Sequence, residues 1–277
     1  MNATKLNDIN SQINDYLNTE DDYIKRMDLI DSGSYSQVYL FEYDNFKYIV
    51  KRCNKYLLST HEINYIYKEI YLLKSLNHRN IVKIKSYNEV NNFIDIIMYY
   101  SGKSLELIKN NLSKNEIKII IRNVLEGLQY LHNKNIVHCD LSPSNILVKD
   151  INLGKVYICD FGLSVDHNHE YILPIGNMIG NNKFMAPEIL MMEKLSNKSD
   201  LWSVGIIVYY LLTNNYPFRC INESNIVEKL NKFRNSQFNK TKLTSEEFDF
   251  IKNLLVLEPT KRMSINEALN HPWLNLD

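Results

Sequence analysis

The residues most able to do chemistry lie in His138-Cys139-Asp140-Leu141-Ser142-Pro143-Ser144-Asn145, followed downstream by Asp160-Phe161-Gly162. Transfer of a γ-phosphoryl group needs a carboxylate that orients the attacking hydroxyl and takes its proton. It also needs a carboxylate and an amide oxygen to hold Mg2+ against the phosphates, and a cation to position those phosphates. Asp140, Asp160, Asn145 and Lys51 have the side-chain types for these four tasks. Each also has an ordinary reading: a lysine after a short strand is usually solvated, and Asp-Phe-Gly alone is a turn. Their joint order along one chain is what the ordinary readings leave unexplained.

These side chains need a scaffold. From Tyr23 to Met98 the pattern is mostly strand-like, with β-rich runs at Val38-Tyr39-Leu40-Phe41 and Tyr48-Ile49-Val50. Within it, Ile63, Ile66, Ile70 and Leu73 recur at helical spacing and predict a helix over His61 to Leu76. Beyond Ser101 the balance shifts. Helices are predicted over Asn115 to His132, Asp200 to Leu212 and Ser245 to Leu257, with Glu69 on the inward face of the first helix. Residues 1–22 form a polar N-terminal extension in which Leu6, Ile9, Ile13, Tyr16 and Leu17 make a rough helical stripe, read as a docking or frayed helix.

The motifs resemble those of eukaryotic protein kinases over residues 23–277. His138 to Asn145 is similar to that family's H-R-D-L-x-x-x-N loop and Asp160-Phe161-Gly162 to its D-F-G. The resemblance implies that Asp140 is the catalytic base and that Asn145 and Asp160 are Mg2+ ligands. Lys51, ending Tyr48-Ile49-Val50-Lys51, resembles the V-A-I-K lysine, and Glu69 its helix-borne partner. Ala186-Pro187-Glu188 resembles A-P-E. Asp200-Leu201-Trp202-Ser203-Val204-Gly205 and Tyr216-Pro217-Phe218 match the central helix of the family's larger lobe and the segment after it, and Arg262 the arginine that pairs with the A-P-E glutamate. The implied fold is α+β and bilobal. A small N-lobe (23–98) has an antiparallel five-stranded sheet and one helix, and a larger, mainly helical C-lobe (99–277) follows. The implied cofactors are ATP and Mg2+. The ATP-binding set is Ile30, Gly33, Ser34, Val38, Ile49, Lys51, Met98, Tyr99, Tyr100 and Leu147. Pro143 and the ending Glu267 to Trp273 resemble Ser/Thr kinases, most closely the calcium/calmodulin-dependent group, rather than Tyr kinases.

Departures cluster in the same motifs. Of the glycine-rich loop only Gly33 remains in Asp31-Ser32-Gly33-Ser34-Tyr35-Ser36-Gln37-Val38, and Ile49 replaces the alanine over adenine. Cys139 replaces the arginine that pairs with a phosphorylated activation segment. Between Asp160 and Glu188 there is no Thr, and Ser164 is the only Ser, with Tyr171 the remaining hydroxyl. Both absences imply activity without activation-loop Ser/Thr phosphorylation. Ser142 replaces a phosphate-side lysine and Asn181 its usual Thr partner; losing such a cation costs on the order of 10- to 1,000-fold in rate. Ser104 and Ser144 stand where arginine-reading glutamates occur, which implies no strong preference for Arg before the target residue. Two functions fit: an active Ser/Thr protein kinase, or a pseudokinase serving as a nucleotide-binding or scaffolding module.

Bulk composition narrows the partners. The 277 residues carry 32 basic and 32 acidic side chains, a balance that disfavours nucleic-acid coating or a polybasic membrane contact. Cys53, Cys139, Cys159 and Cys220 form no C-x-x-C pair, so neither a zinc motif nor a disulfide framework is expected. A reducing, cytoplasmic setting follows from this reading, with no signal peptide, no membrane span and no calmodulin-binding segment evident. The expected partner is a protein substrate bearing Ser or Thr.

Overall fold

A computed structural model describes residues 27–33, 36–43, 45–168, 183–190, 195–217 and 243–275. The stripe in residues 1–22, and Ser34, Tyr171, Asn181, Phe218 and Cys220, lie outside the described residues. The chain divides into two units, Met1–Asn77 with Val82–Tyr100, and His78–Ile81 with Ser101–Asp277.

The first unit has β1 (Asp28–Ser32), β2 (Ser36–Tyr43), β3 (Phe46–Asn54), β4 (Ile84–Val90) and β5 (Phe93–Tyr99), of which β2, β3 and β5 are rich in β-branched and aromatic residues. They make one antiparallel sheet in the order β1-β2-β3-β5-β4. The β2–β3 and β4–β5 reversals place Asn45 (φ 62°) and Asn91 (φ 52°) in the left-handed region, which asparagine tolerates better than most residues. Because side chains alternate across a strand, the register puts Val38 opposite Lys51 and Ile49 opposite Met98 on one face. The other face carries Tyr39, Phe41, Tyr48, Val50 and Ile97, buried together with Met27. On this second face Arg52 makes a fork-like pair with Asp95, 2.8 Å at both bonds, and lies 4.6 Å over the Phe93 ring.

The single α-helix of this unit among the described residues is α1 (Thr60–Ser75). Ser59 and Glu62 close a capping box at its start, the Glu62 carboxylate accepting the Ser59 N–H at 2.7 Å; such a cap contributes about 0.5–2 kcal/mol. The helix buries Ile66, Glu69, Ile70 and Leu73. It lies on the Lys51 face of the sheet: Tyr67 donates to Glu89 of β4, and Lys74 lies 4.2 Å from the Tyr87 ring centroid.

The second unit is mainly helical: α2 (Leu105–Ile108), α3 (Lys114–Asn133), α4 (Pro187–Leu190), α5 (Lys198–Thr213), α6 (Ser245–Leu254) and α7 (Ile265–Leu269). Helix α5 is buried over nearly its whole circumference, from Ser199 to Tyr210, as expected of an apolar helix in the middle of a core. It ends at Asn214 in the left-handed region. Helix α3 shows the one-sided pattern, burying Ile117, Ile120, Ile121, Val124, Leu128 and Leu131. The four helices predicted after residue 22 are present, with ends shifted by no more than three residues. Five short strands were not foreseen: β6 (Lys103–Ser104), β7 (Ile136–Val137), β8 (Ile146–Asp150), β9 (Lys155–Ile158) and β10 (Val165–Asp166). Runs of two to five residues leave too little periodicity to read.

Two short pieces fall on sides of the division that sequence patterning does not reveal. Residues 78–81 belong to the second unit because Asn80, fully buried, donates to Asn123 of α3 and to the Val156 carbonyl, both at 2.9 Å. Ile158 in turn donates its N–H to the Asn80 carbonyl at 2.8 Å. Tyr99 and Tyr100 stay with the sheet: Tyr99 closes β5 opposite Tyr48, and the Tyr100 N–H reaches the Lys47 carbonyl at 3.1 Å.

Close packing against α5 gives a direct test. A Cβ at Gly205 would lie 2.9 Å from Leu254 Cβ and from Leu255 Cδ2. Overpacking of this kind costs about 1–3 kcal/mol, and for a chain of this size that corresponds to a melting midpoint lower by about 3–10 °C. Gly205→Ala is expected to show that drop in differential scanning fluorimetry; an unchanged midpoint would contradict the packing described.

Candidate active site

Residues 138–145 are organised by one carboxylate. Asp200, in the first turn of α5 and about 1% exposed, accepts the Cys139 N–H on Oδ1 at 3.0 Å. Its Oδ2 accepts the His138 N–H at 3.0 Å and the His132 Nε2 at 2.8 Å. Burial by itself would raise the carboxyl pKa. The His132 hydrogen bond and charge, followed by His138, outweigh it and hold the group below its ordinary value. These bonds also explain how Cys139 keeps φ at 69°. A non-glycine residue in that region is disfavoured by about 1–2 kcal/mol, whereas each hydrogen bond to a charged group contributes about 1.5–3 kcal/mol. The strained turn that presents Asp140 is therefore stabilised more than it is opposed.

His138 fixes the next layer. Its side chain is buried; Nδ1 accepts the Asp140 N–H at 3.3 Å and Nε2 bonds the Cys159 carbonyl at 3.0 Å. That pair of partners assigns the Nε2–H tautomer. The ring meets fully buried Phe161 edge-on at 5.2 Å. The bond to Cys159 and the contact with Phe161 thus bracket Asp160, whose φ is 64°. The antiparallel pairing of β7 with β10 then ties the stretch before His138 to the stretch after Gly162.

Asn145 closes the loop on itself. Its Nδ2 donates to the Asp140 carbonyl at 2.8 Å and to Asp140 Oδ2 at 3.0 Å. Its backbone carbonyl accepts the Cys159 N–H at 3.0 Å. With the amide nitrogen engaged, the side-chain atom left for a ligand is a hard carbonyl oxygen, and Asp160 adds a carboxylate. That donor set suits Mg2+, which takes one or two protein oxygens and completes its shell with phosphate and water. Leu147, on β8, pairs with Ser104 of β6 and Tyr157 of β9.

In the first unit, Lys51 Nζ lies 2.9 Å from Glu69 Oε2, with side chains 16% and 3% exposed. The sheet register brings Val38, Ile49 and Met98 onto the face that carries Lys51. Ile30 is exposed on β1, and Gly33 turns the chain into β2, its N–H donating to the Ser36 carbonyl at 2.8 Å. Asp31 folds its carboxylate back onto the Ser32 N–H at 2.8 Å. The Tyr99 ring lies tilted against Tyr48, with centroids 5.7 Å apart, on the face away from Lys51. Tyr99 therefore offers the Lys51 face backbone rather than ring.

Arg262 and Glu188 make the pair the sequence motifs anticipate. The guanidinium, fully buried, bonds both Glu188 oxygens at 2.8 and 3.1 Å and the Val256 carbonyl. Ser199 Oγ adds a bond to Glu188 at 2.8 Å, so α4 is locked to α5. Sequence reading gave no role to His132, Asn80 or the Arg52–Asp95 pair. The only sign of His132 was its place on the apolar side of α3, one residue after Leu131.

Removing one partner of a buried ion pair leaves the other charge uncompensated and costs about 3–5 kcal/mol. Arg262→Leu is expected to lose that much in urea unfolding, and adding Glu188→Leu is expected to restore part of it. A double variant no more stable than the single one would contradict a buried, coupled pair.

The profile of the family described as "Protein kinase domain" matches residues 24–274. The chain is 34% identical over 221 residues to death-associated protein kinase 2 of Homo sapiens, covering 76% of this chain and 58% of that protein. It is 32% identical over 265 residues to calcium-dependent protein kinase 4 of Plasmodium berghei (strain Anka), covering 91% of this chain and 49% of that protein. A match to serine/threonine-protein kinase 33 of Bos taurus is 30% identical over 244 residues, 82% of this chain and 50% of the relative. The chain thus spans about half the length of these curated relatives. With the profile matched over nearly all of its residues, the chain belongs to the protein kinase domain family.

Proposed function

We propose that the chain is an active protein kinase that moves the γ-phosphate of ATP to a Ser or Thr hydroxyl. The observation that carries this reading is the bond from Asn145 Nδ2 to Asp140 Oδ2 at 3.0 Å. It aims a carboxylate while leaving an amide oxygen for a cation. In this reading Asp140 orients the substrate hydroxyl and takes its proton. Asn145 and Asp160 hold Mg2+, which when bound neutralises charge on the phosphates. Lys51, steadied by Glu69, contacts the phosphates. Ile30, Gly33, Ser34, Val38, Ile49, Met98 and Leu147 contact the nucleotide, and Tyr99 and Tyr100 contribute backbone.

Regulation and substrate choice follow from what replaces the usual cations and carboxylates. Cys139 is 6% exposed and bonds the Val137 carbonyl through its thiol. It offers no charge to a phosphorylated residue, so we infer activity without activation-loop Ser/Thr phosphorylation. Ser104 and Ser144 present no carboxylate to a substrate arginine. The alternative, a pseudokinase scaffold, is favoured by Ser142, which is buried at 3% exposure where it brings no positive charge.

Labelled ATP, Mg2+ and a mixed protein acceptor separate the two readings. Asp140→Asn is expected to lower incorporation by about 100-fold or more; equal signal from both proteins would leave only the scaffold. Phosphatase treatment of the active protein is expected to leave its rate unchanged, and a peptide library is expected to show no dominant Arg before the acceptor. Loss of activity traced to a dephosphorylated activation-segment residue would contradict the role given to Cys139.

A further inference from the structure

Close to residues 138–145 the second unit builds a site fit for a cation. Strand β6 pairs Ser104 with Leu147 of β8, and Glu106 follows in the first turn of α2. Backbone lengths put Glu106 no farther than about 20 Å from Asn145, a span of about six residues in an extended peptide. Three rings stand around Glu106. Tyr210, on α5, donates its hydroxyl to Glu106 Oε1 at 3.2 Å. Tyr216 stacks on Tyr210 with centroids 4.7 Å apart, and Phe184 meets both edge-on, at 6.1 and 5.7 Å. A carboxylate, a phenol oxygen and aromatic faces are the groups that hold an ammonium or a guanidinium.

The chain itself supplies the cation. Lys109 Nζ bonds Glu106 Oε1 and the Tyr210 hydroxyl, and it lies 4.4 Å from the Tyr210 ring centroid. An (i, i+3) ion pair on a helix surface is ordinarily wet and weak. This one differs: the Lys109 side chain is 16% exposed, and one of its partners comes from 101 positions away. Burial alone would lower the lysine pKa. The bonds to Glu106 and Tyr210 outweigh it and hold the amine above its ordinary value. A second lysine, Lys183, lies 4.9 Å from the centroid of Tyr216, the other ring of the stack. A cation arriving from outside therefore finds the acceptors engaged and two like charges beside them.

We propose that Lys109 is a specificity-determining residue: it plugs a cation site near residues 138–145, so that basic side chains close to the acceptor residue of a protein substrate are turned away. The proposal rests on the reading of the chain as a protein kinase acting on Ser or Thr. It goes further than the carboxylates missing at Ser104 and Ser144, because it names a carboxylate that is present and the residue that occupies it. Like charge and an occupied acceptor discriminate against a basic substrate even where no group attracts an acidic one. Lys109 lies outside the groups assigned to phosphate transfer, so removing its charge opens the site to a substrate cation and leaves those groups in place.

A peptide library tests this in the unaltered protein and in Lys109→Met, which keeps the aliphatic stem and loses the charge. The unaltered protein is expected to select no Arg or Lys within about six residues of the acceptor; dominant selection of either there would refute the proposal outright. Lys109→Met is expected to gain a preference of at least about ten-fold for Arg or Lys at one of those positions. Adding Glu106→Gln is expected to abolish the gain, and Lys109→Arg is expected to keep the profile of the unaltered protein. A Lys109→Met profile identical to that of the unaltered protein, or a gain that survives Glu106→Gln, would overturn the plug. Binding keeps this question apart from turnover. A fluorescein-labelled peptide with Arg at alternate positions around one serine, followed by fluorescence anisotropy, is expected to bind Lys109→Met at least about ten-fold more tightly than the unaltered protein. If neither protein phosphorylates the library, the kinase reading fails and the binding comparison decides, with equal affinities refuting the plug. Lys109→Gln takes the place of Lys109→Met if that variant fails to fold, and the profile of the unaltered protein remains decisive by itself.

Discussion

The shape of residues 138–145 depends on a buried carboxylate. Asp200 lies at the start of the most enclosed helix of the second unit, and two successive backbone N–H groups and one imidazole converge on it. A buried carboxylate is costly unless it is fully bonded, and here the groups that satisfy it belong to the segment carrying Asp140. Stabilising the charge and shaping the loop are therefore one event. His138 carries the constraint outward: its ring takes the Asp140 N–H on one nitrogen and holds the Cys159 carbonyl with the other. The positions flanking both carboxylates thus refer back to one residue in the core.

The first unit solves a different problem. Lys51 sits on β3, the middle strand of the five-stranded sheet. Strand β3 fixes it through its neighbours: Glu69 bonds it from α1 at 2.9 Å, while Val50 and the Arg52–Asp95 fork anchor the reverse side of the same strand. Period-two alternation makes this possible, since successive residues serve opposite faces. The reverse face is as heavily apolar as a core.

Much of this was legible in the sequence, and the remainder was not for identifiable reasons. Asp140, Asn145, Asp160 and Lys51 stood out as side-chain types suited to phosphoryl transfer, and Glu69 through the motif resemblance. The bonds Lys51–Glu69 and Arg262–Glu188 then appear between residues the motifs had already paired. The long helices were readable from apolar spacing, as α3 and α1 show. His132, Asn80 and Asp95 were not, because a buried polar residue looks in sequence like any surface one. Its role comes from a partner 68 positions away for His132 and 43 for Asn80. Strands β6 to β10 escaped because so few residues carry no period. The left-handed turns at Cys139 and Asp160 escaped because no glycine marks them; neighbouring bonds impose those conformations.

Steady-state kinetics of Asp200→Asn would test the central claim, that this carboxylate positions the loop bearing Asp140. The substitution keeps size and shape but removes the charge that holds the two N–H groups. If the account is right, a folded Asp200→Asn protein loses kcat by on the order of 100-fold, the scale expected when a catalytic group is displaced by about 1 Å. Its KM for ATP is expected to stay within about two-fold, since the loss falls on the transition state rather than on binding. A folded variant with the kcat of the unaltered protein would contradict the account.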